Sequence, residues 1–485
     1  MPSCTSDTLI FLLKKRYWLL LEKTKSRTQS LRHSCSYIAN DVWEQLAVLA
    51  VFVKHVALRN RAFVTSSEAG TFAVAQRKTL LMVSYYSPPY TAAYGTERVA
   101  KLAKYLSRMG WNIVLLSSSP EEQWEAEKSA TSKPEGVEIV RRVQRGRLNV
   151  FAEKGLAVPD DFIGWVRPAL DRARDLVLET KPAAIYATAP PYSNLLVGAI
   201  LSRMYDVPLV SDFRDPWTRI DTFWKKESPV LRLVNRLLEK AVLRVSDAVV
   251  MVDEKKYCDQ YFVGGSKVSH KIVSITNGFD EEEFAGLGAC SGRANGDKFV
   301  VSYVGGVYDS ETFLNVIRPL ELWRQRYPND FESVLFEYAG QSGQWFKDYK
   351  VPFELRLRGY LSHRESINLR FRSHLQLFSQ PSHFKPHVLS GKIFEMIRVG
   401  VPIVAFTNPE GSAADLIRRT KTGFVVKSND HEAGAQLLKE LFEKWRRGEL
   451  AINPDHAEIG RYRRDELARR FADVLQRAIG ERRAS

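Results

Sequence analysis

An α/β fold of two doubly wound, mostly parallel-sheet domains in tandem is predicted by three features of the sequence. Short β-rich runs alternate with segments of helical spacing from residue 78 to about residue 280. A polar, Gly-rich stretch, "DEEEFAGLGACSGRANGDK" (residues 280–298), interrupts them. The alternation then restarts and continues to about residue 430. Strands alternating with helices are the pattern of parallel sheets covered on both faces. At 485 residues, 45% hydrophobic and 26% charged, the chain is long enough for two or three domains with separate cores.

The elements follow in order. "KTLLMVSYYSPP" is a strand running into a Pro-Pro loop, and "GTERVAKLAKYLSRMG" is a helix with apolar residues at helical spacing and a Gly stop. "WNIVLLSSS" and "GVEIVRRV" are the second and third strands. "AAIYATAPPYSNLLVGAILSRMYDVPLVSDFRDPW" gives strand, Pro-Pro loop, helix, strand and loop. "DAVVMVDEK" and "KIVSITNGF" complete the first sheet. The second set is "FVVSYVGGV", a helix through "FLNVIRPLELWRQRY", then "SVLFEYAG", "FELRLRGYL", "SINLRFRSH" and "LQLFSQ". "HVLSGKIFEMIRVGVPIV" and "GFVVKS" close it. The expected organisation is a helical extension over 1–76, a first domain over 77–280, a linker over 281–298, a second domain over 299–430 and C-terminal helices over 431–485.

Composition narrows the function. The four cysteines (Cys4, Cys35, Cys258, Cys290) form no C-x-x-C pair, so neither a zinc site nor a disulfide framework is indicated, and a reducing cytoplasm fits. The net charge of +15 is spread out, with no basic stripe carrying interleaved aromatics, so nucleic acid is not an expected partner. Two readings of the charge stay open: work against an anionic membrane face or substrate, and a solvated surface with no partner. No apolar run reaches 18 residues; the longest is "LAVLAVFV" (46–53), closed by Lys54. "TLIFLLKKRYWLLLEK" carries Lys14, Lys15 and Arg16 inside its apolar stretch, which is not the layout of a signal peptide. Residues 1–76 read as two amphipathic helices that lie on a membrane interface, pack as an extension, or come from a start codon set too early.

The loops hold the candidate chemistry. Nucleotide P-loop, zinc-protease, nucleophile-elbow and dinucleotide fingerprints are all missing, as is a metal-holding D-x-D. Gly95 and Thr96 precede the first helix, where backbone N–H groups can approach an anion; Arg98 adds charge. A glycine required by turn geometry alone is the competing reading. In "SDFRDPWTR", Asp212, Arg214 and Asp215 either clamp their own loop or face a ligand cleft between the domains. Asn277 and Gly278, in "TNGFD", suit a turn with positive φ and read as hinge and cleft wall.

In "HVLSGKIFEMIRVGVPIV", Ser390 is a candidate N-cap, Gly391 permits close approach, and Lys392 adds a compact positive charge. A phosphate there gains a helix-end contribution of roughly 0.3–1 kcal/mol, up to ~2 when partly buried. Glu395, one turn on, suits vicinal hydroxyls such as a ribose. A nucleotide satisfies all of these residues; so does a capped helix with an exposed Lys–Glu pair.

Taken together, "VSYYSPPYTAAYGTERVAKLAKYLSRMGWNIVLLS", "PDDFIGWVRPAL", "TAPPYSNLLVGAILSRMYDVPLVSDFRDPWT", "ITNGFD" and "LSGKIFEMIRVGVPIV" resemble the ordered landmarks of family-four glycosyltransferases with the GT-B fold. The nearest branch is bacterial, carries a D-F-R-D-P-W-T segment and is associated with polysaccharide or glycolipid assembly. The resemblance spans about residues 78–430. It implies a retaining, metal-independent transfer of a sugar from a nucleoside-diphosphate sugar to a glycan or lipid-linked acceptor hydroxyl, with no cofactor. The location implied is cytoplasmic, at or away from the inner membrane face. Carried over by position, Lys392 meets the diphosphate, Glu395 the ribose, and Gly95 and Thr96 the diphosphate and reacting sugar. Ser390, Gly391, Gly305, Glu410 and Gly411 complete the donor-binding set. The cleft and acceptor set is Arg98, Asp212, Arg214, Asp215, Asn277, Gly278 and His387. Two departures from the family pattern are His387, where a first Glu is usual, and "YVGGVYDSET" (303–312), which has no Lys or Arg. Arg98, Lys385 and Lys421 are the candidates to compensate. A nucleotide-sugar 2-epimerase of the same fold and a non-catalytic nucleotide-sugar binder are the alternatives.

Overall fold

The computed structural model describes residues 77–88, 95–118, 136–142, 157–218, 229–258, 262, 268–287, 298–307, 309–340 and 349–484. The helical reading of residues 1–76 lies outside them. The chain divides into two compact units: residues up to Ile275 together with Ala468–Ser485, and Thr276–Leu467. Among the described residues, no helix is long and apolar enough to cross a membrane.

The first unit is built on seven parallel strands: β1 (Thr79–Val83), β2 (Asn112–Ser118), β3 (Val137–Arg142), β4 (Ala184–Ala189), β5 (Leu209–Phe213), β6 (Ala248–Met251) and β7 (Ile272–Ser274). Their order is β3-β2-β1-β4-β5-β6-β7. Its helices are α1 (Thr96–Arg108), α2 (Val166–Thr180), α3 (Ser193–Tyr205) and α4 (Pro229–Val245). β1, β4 and β5 are buried along their whole length, as strands covered on both faces must be, which is why they read as continuous apolar runs. Strand order turns back between β1 and β4. In open parallel sheets that switch point, at the carboxyl ends of the strands, is where ligands bind.

The second unit repeats the plan with six parallel strands: β8 (Phe299–Val304), β9 (Val334–Ala339), β10 (Leu355–Leu357), β11 (Leu375–Ser379), β12 (Ile403–Thr407) and β13 (Gly423–Lys427). The order is β10-β9-β8-β11-β12-β13, so its switch point lies between β8 and β11. Its helices are α5 (Ser310–Arg326), α6 (His363–Arg372), α7 (Lys392–Val399), α8 (Ser412–Thr420) and α9 (His431–Arg446). α5 and α9 cover one face with Val316, Leu320, Trp323, Leu438, Leu441 and Phe442; α7 and α8 cover the other with Ile393, Phe394, Ile397, Leu416 and Ile417. α6 starts with a capping box, Ser362 and Glu365, each bonding the other's backbone N–H. The α/β GT-B expectation therefore holds at the level of sheets and topology.

The domain limits differ from those read in the sequence. Residues 276–287 belong to the second unit because Phe279 and Phe284 are part of its core. The last helix, α10 (Arg464–Ala484), belongs from Ala468 onward to the first unit. There Phe471 meets Tyr186 edge-on, with ring centroids 5.4 Å apart, and Arg482 pairs with Asp247 at 3.2 Å.

Candidate functional site

In the first unit the candidate residues gather at the β1/β4 switch point. Asp212, on β5, is fully buried. Its carboxylate accepts from Arg98 Nε and Nη2 at 3.0 and 2.9 Å, Tyr186 Oη at 2.7 Å and Thr188 Oγ1 at 3.0 Å. Arg98 also donates to the Ile275 carbonyl at 3.0 Å. Burial opposes charge on both members, but each outweighs it for the other: the Arg98 pKa is raised and that of Asp212 lowered. Of the two readings open for Asp212, this geometry is that of a clamp. Arg98 and Asp212 are enclosed and bonded to each other, and they fix the strand ends.

Arg214 explains Gly95. Gly95 stands before α1 with φ +79°, and a Cβ added to it would lie 1.5 Å from Arg214 Nη1. Arg214 is held by the carbonyls of Ala189 and Pro190. Glycine is therefore required here by both its φ and the guanidinium above it. Asp215 is exposed. Thr96 Oγ1 and Ser87 Oγ are buried, with no hydrogen-bond partner among the described residues. The rest of the D-F-R-D-P-W-T segment is committed to packing. Trp217 stacks on Tyr192 and donates to Asn235, and Thr218 bonds Glu239.

In the second unit the residues gather at the β8/β11 switch point. Lys392 opens α7 and folds back over β8. Its Nζ donates to Tyr303 Oη at 3.0 Å and lies 4.6 Å from the Tyr303 ring centroid and 5.3 Å from that of Phe378. Gly305, with φ +139°, makes room: a Cβ there would sit 3.3 Å from Lys392 Cδ and Nζ. Burial, and then the nearby charge of Arg370, lowers the Lys392 pKa to about 7. The α7 start carries no side-chain cap. Ser390 is not the cap expected from the sequence; its carbonyl accepts from Ile393 N–H, and Gly391 occupies the cap position with helical φ and ψ.

Neighbouring loops meet this helix start. Glu395 sits one turn along α7, with Oε1 3.8 Å from His363 Nδ1, and His363 Nε2 is 3.0 Å from Glu283 Oε2. His387 is half-buried, and burial together with Lys385 lowers its pKa to about 4, so it is neutral at physiological pH. The loop holding Glu410 and Gly411 is tied to the His387 loop: Ser412 N–H donates to the Pro386 carbonyl at 2.7 Å, and a Gly411 Cβ would lie 3.0 Å from the same oxygen. Glu410 is exposed.

Two expectations are not met in this unit. Asn277 and Gly278 have no positive φ, and Gly278 is glycine because the Tyr462 carbonyl passes 2.0 Å from where its Cβ would be. The glycine is set by packing. Lys421 lies at the amino end of β13, away from the switch point, 63% exposed and 3.9 Å from Asp455. It supplies no charge to the Lys392 site. The residues missed in the sequence are Tyr303, Arg370 and His363. An arginine among the apolar residues of "SINLRFRSH" was the available signal for Arg370.

Two Rossmann-like units, each with loop residues gathered at a switch point, define the GT-B class of fold. Residues 95–255 match the family model described as a glycosyl transferase 4-like domain. Solved structures of the same fold include sucrose-phosphate synthase from Thermosynechococcus elongatus, at 13% identity and a TM-score of 0.58, covering 82% of this chain and 98% of that one. A glycosyltransferase from Rickettsia africae gives 15% identity and a TM-score of 0.56, covering 83% and 98%. The α,α-trehalose 6-phosphate synthase from Burkholderia multivorans gives 12% identity and a TM-score of 0.55, covering 83% and 96%. No curated protein matches the chain.

Proposed function

We propose that the protein is a retaining glycosyltransferase that moves a sugar from a nucleoside-diphosphate sugar to a hydroxyl of a glycan or lipid-linked acceptor, without a metal. The observation that carries this reading is the arrangement at the β8/β11 switch point: a largely enclosed lysine beside an uncapped helix start, with glycines at 305 and 391. In this reading the second unit binds the donor. Lys392 and the N–H groups of α7 hold the diphosphate, Glu395 the ribose hydroxyls, and the Ser390, Gly305, Glu410 and Gly411 loops surround them. The first unit receives the acceptor, with the unpartnered hydroxyl of Thr96 and the Arg214 guanidinium as its polar groups.

The chemistry asked of the protein is electrostatic. The bond from the anomeric carbon to the leaving phosphate oxygen breaks, the acceptor oxygen bonds that carbon on the same face, and the acceptor proton passes to the leaving phosphate. Negative charge grows on the diphosphate. A fixed cation and oriented N–H groups placed where that charge develops stabilise the transition state more than the ground state. No enzyme nucleophile is needed. His387, being neutral, offers a hydrogen bond rather than a charge to the donor sugar.

The test is a thermal-shift screen with UDP, GDP, ADP and dTDP sugars, followed by acceptor-dependent release of the nucleoside diphosphate in EDTA. Release only with acceptor, and an α-linked product from an α-linked donor, support the reading. Interconversion of the donor sugar without acceptor would instead make the protein an epimerase.

A further inference from the structure

Lys392 is not the only cation enclosed at this switch point. Arg370, on α6, is 3% exposed. Its Nη2 donates to the Val304 carbonyl at 3.3 Å and its Nη1 to Gln376 Oε1 at 3.4 Å, both long, and its Nε has no partner among the described residues. No carboxylate lies within ion-pair distance of it among those residues; the carboxylate that acts on it at longer range is that of Glu395. A guanidinium is built for bidentate pairing with an oxyanion. Burying one with its charge incompletely matched is costly. Arg98, whose Nε and Nη2 both donate to Asp212, shows what a purely structural arginine looks like in this same chain.

We propose that Arg370 is a positioning residue of the diphosphate site, a second enclosed cation that acts on the bound anion through Lys392. The inference rests on the donor reading above. A nucleoside-diphosphate sugar carries about two negative charges at neutral pH and the released diphosphate about three, so one lysine leaves the site under-charged. Arg370 and Lys392 together match the donor, and the α7 start adds to them as charge grows. Arg370 also repels the Lys392 ammonium, which lies against Gly305 and Tyr303.

The groups facing Lys392 are Arg370 from α6, Tyr303 from β8 and the Phe378 ring from β11, while Glu395, one turn along its own helix, faces His363. With its pKa near 7, Lys392 is only partly protonated in the empty site at neutral pH, and an arriving diphosphate draws the proton onto it. Affinity should therefore fall as pH rises above 7.

The test uses the full chain and titrates UDP, GDP and ADP calorimetrically at pH 7.2 and 8.8, where the ligand phosphates stay ionised. The best binder is then measured with Arg370→Met, Arg370→Lys and Lys392→Met. Arg370→Met should weaken binding about 10-fold at pH 7.2, the scale of one lost charge contact. It should also lessen the fall in affinity between the two pH values, because the Lys392 pKa rises part of the way back, burial still lowering it. Arg370→Lys should recover most of the affinity and the wild-type pH dependence. If Arg370→Met does not fold, Arg370→Gln replaces it with the same expectations. Lys392→Met weakened but the neutral Arg370 variant indistinguishable from wild type overturns the role of Arg370 alone. Lys392→Met binding as wild type overturns the diphosphate reading itself.

Discussion

Gly391→Ala separates a ligand-facing glycine from a structural one, because the two give effects of opposite sign. Gly391 has φ −55° and ψ −35°, ordinary helical values that any L-residue adopts. A Cβ placed on it meets nothing within 4 Å. Neither backbone conformation nor packing therefore asks for glycine. Alanine narrows the unfolded ensemble and should stabilise the protein by about 0.4–1 kcal/mol. In a unit of this size that raises the melting temperature by roughly 1–4 °C. If the diphosphate packs against the α7 start, the same methyl group occupies ligand space. Nucleotide affinity should then fall about 10- to 100-fold, or ~1.4–2.8 kcal/mol. Differential scanning fluorimetry without ligand and a nucleotide titration measure the two effects independently. A stabilised variant with unchanged affinity refutes close approach at Gly391. A destabilised one refutes the premise that the fold itself does not need the glycine.

Two further outcomes follow from enclosed charges. The folded Lys392 pKa of about 7 lies below its ordinary 10.5, so between these values the folded chain holds fewer protons than the unfolded chain and stability rises with pH. Lys392→Met should accordingly melt higher than wild type at pH 7 without ligand, with the gap closing toward pH 10, while turnover drops at least about 10-fold; scanning fluorimetry and diphosphate release check the two halves. Asp212 has the opposite sign: its lowered pKa gives stability present above its ordinary 3.8 and lost as pH falls through the folded value. Asp212→Asn leaves Arg98 enclosed without a counter-charge and should cost about 3–5 kcal/mol in urea melts, and Arg98→Met with Asp212→Leu should recover much of it. A double variant as unstable as the single one would refute the pairing argument.

What the sequence exposed and what it hid have a common physical basis. β1, β4, β5 and β8 are buried on both faces, so each appears as an unbroken apolar run that turn residues delimit. Both sheets were visible for that reason. α6 was not: "SINLRFRSH" mixes charge and apolar residues too evenly for a clean period, although Ser362 and Glu365 supply a capping box three residues apart. Gly278 illustrates a limit of another kind. A glycine in a turn-like "TNGFD" suggests positive φ, but its cause is the Tyr462 carbonyl, which arrives from 184 residues further along the chain. The affiliation of residues 276–287 and of the last turns of α10 depends on the same long-range contacts. At the candidate site, the loop chemistry of Gly391, Lys392 and Glu395 could be read locally, because one helix start carries all three. Arg370 could not, since its meaning lies in which strand end it reaches.

The two enclosed arginines give the clearest contrast between fold and function in this chain. Arg98 and Arg370 are both removed from water, at 6% and 3% exposure. Arg98 meets a carboxylate through two hydrogen bonds, and that carboxylate is further held by Tyr186 and Thr188. Such a network is complete; it accounts for its own burial and leaves no charge for a ligand. Arg370 has two long bonds to neutral oxygens, an open Nε and a neighbouring lysine whose proton it loosens. Its environment is incomplete in a specific way: it lacks negative charge. A buried polar group that the fold leaves unsatisfied calls for an occupant of matching chemistry. At the β8/β11 switch point, with Lys392, Gly305 and an uncapped helix start alongside, that occupant is an oxyanion with at least two charges. A diphosphate meets the requirement, and an uncharged or singly charged ligand does not. The discriminating comparison is between UDP, with about three negative charges at neutral pH, and UMP, with about two on a single phosphate. A preference for UDP that collapses in the neutral Arg370 variant ties the arginine to the second phosphate, whereas an equal loss for both ligands would detach it from that role.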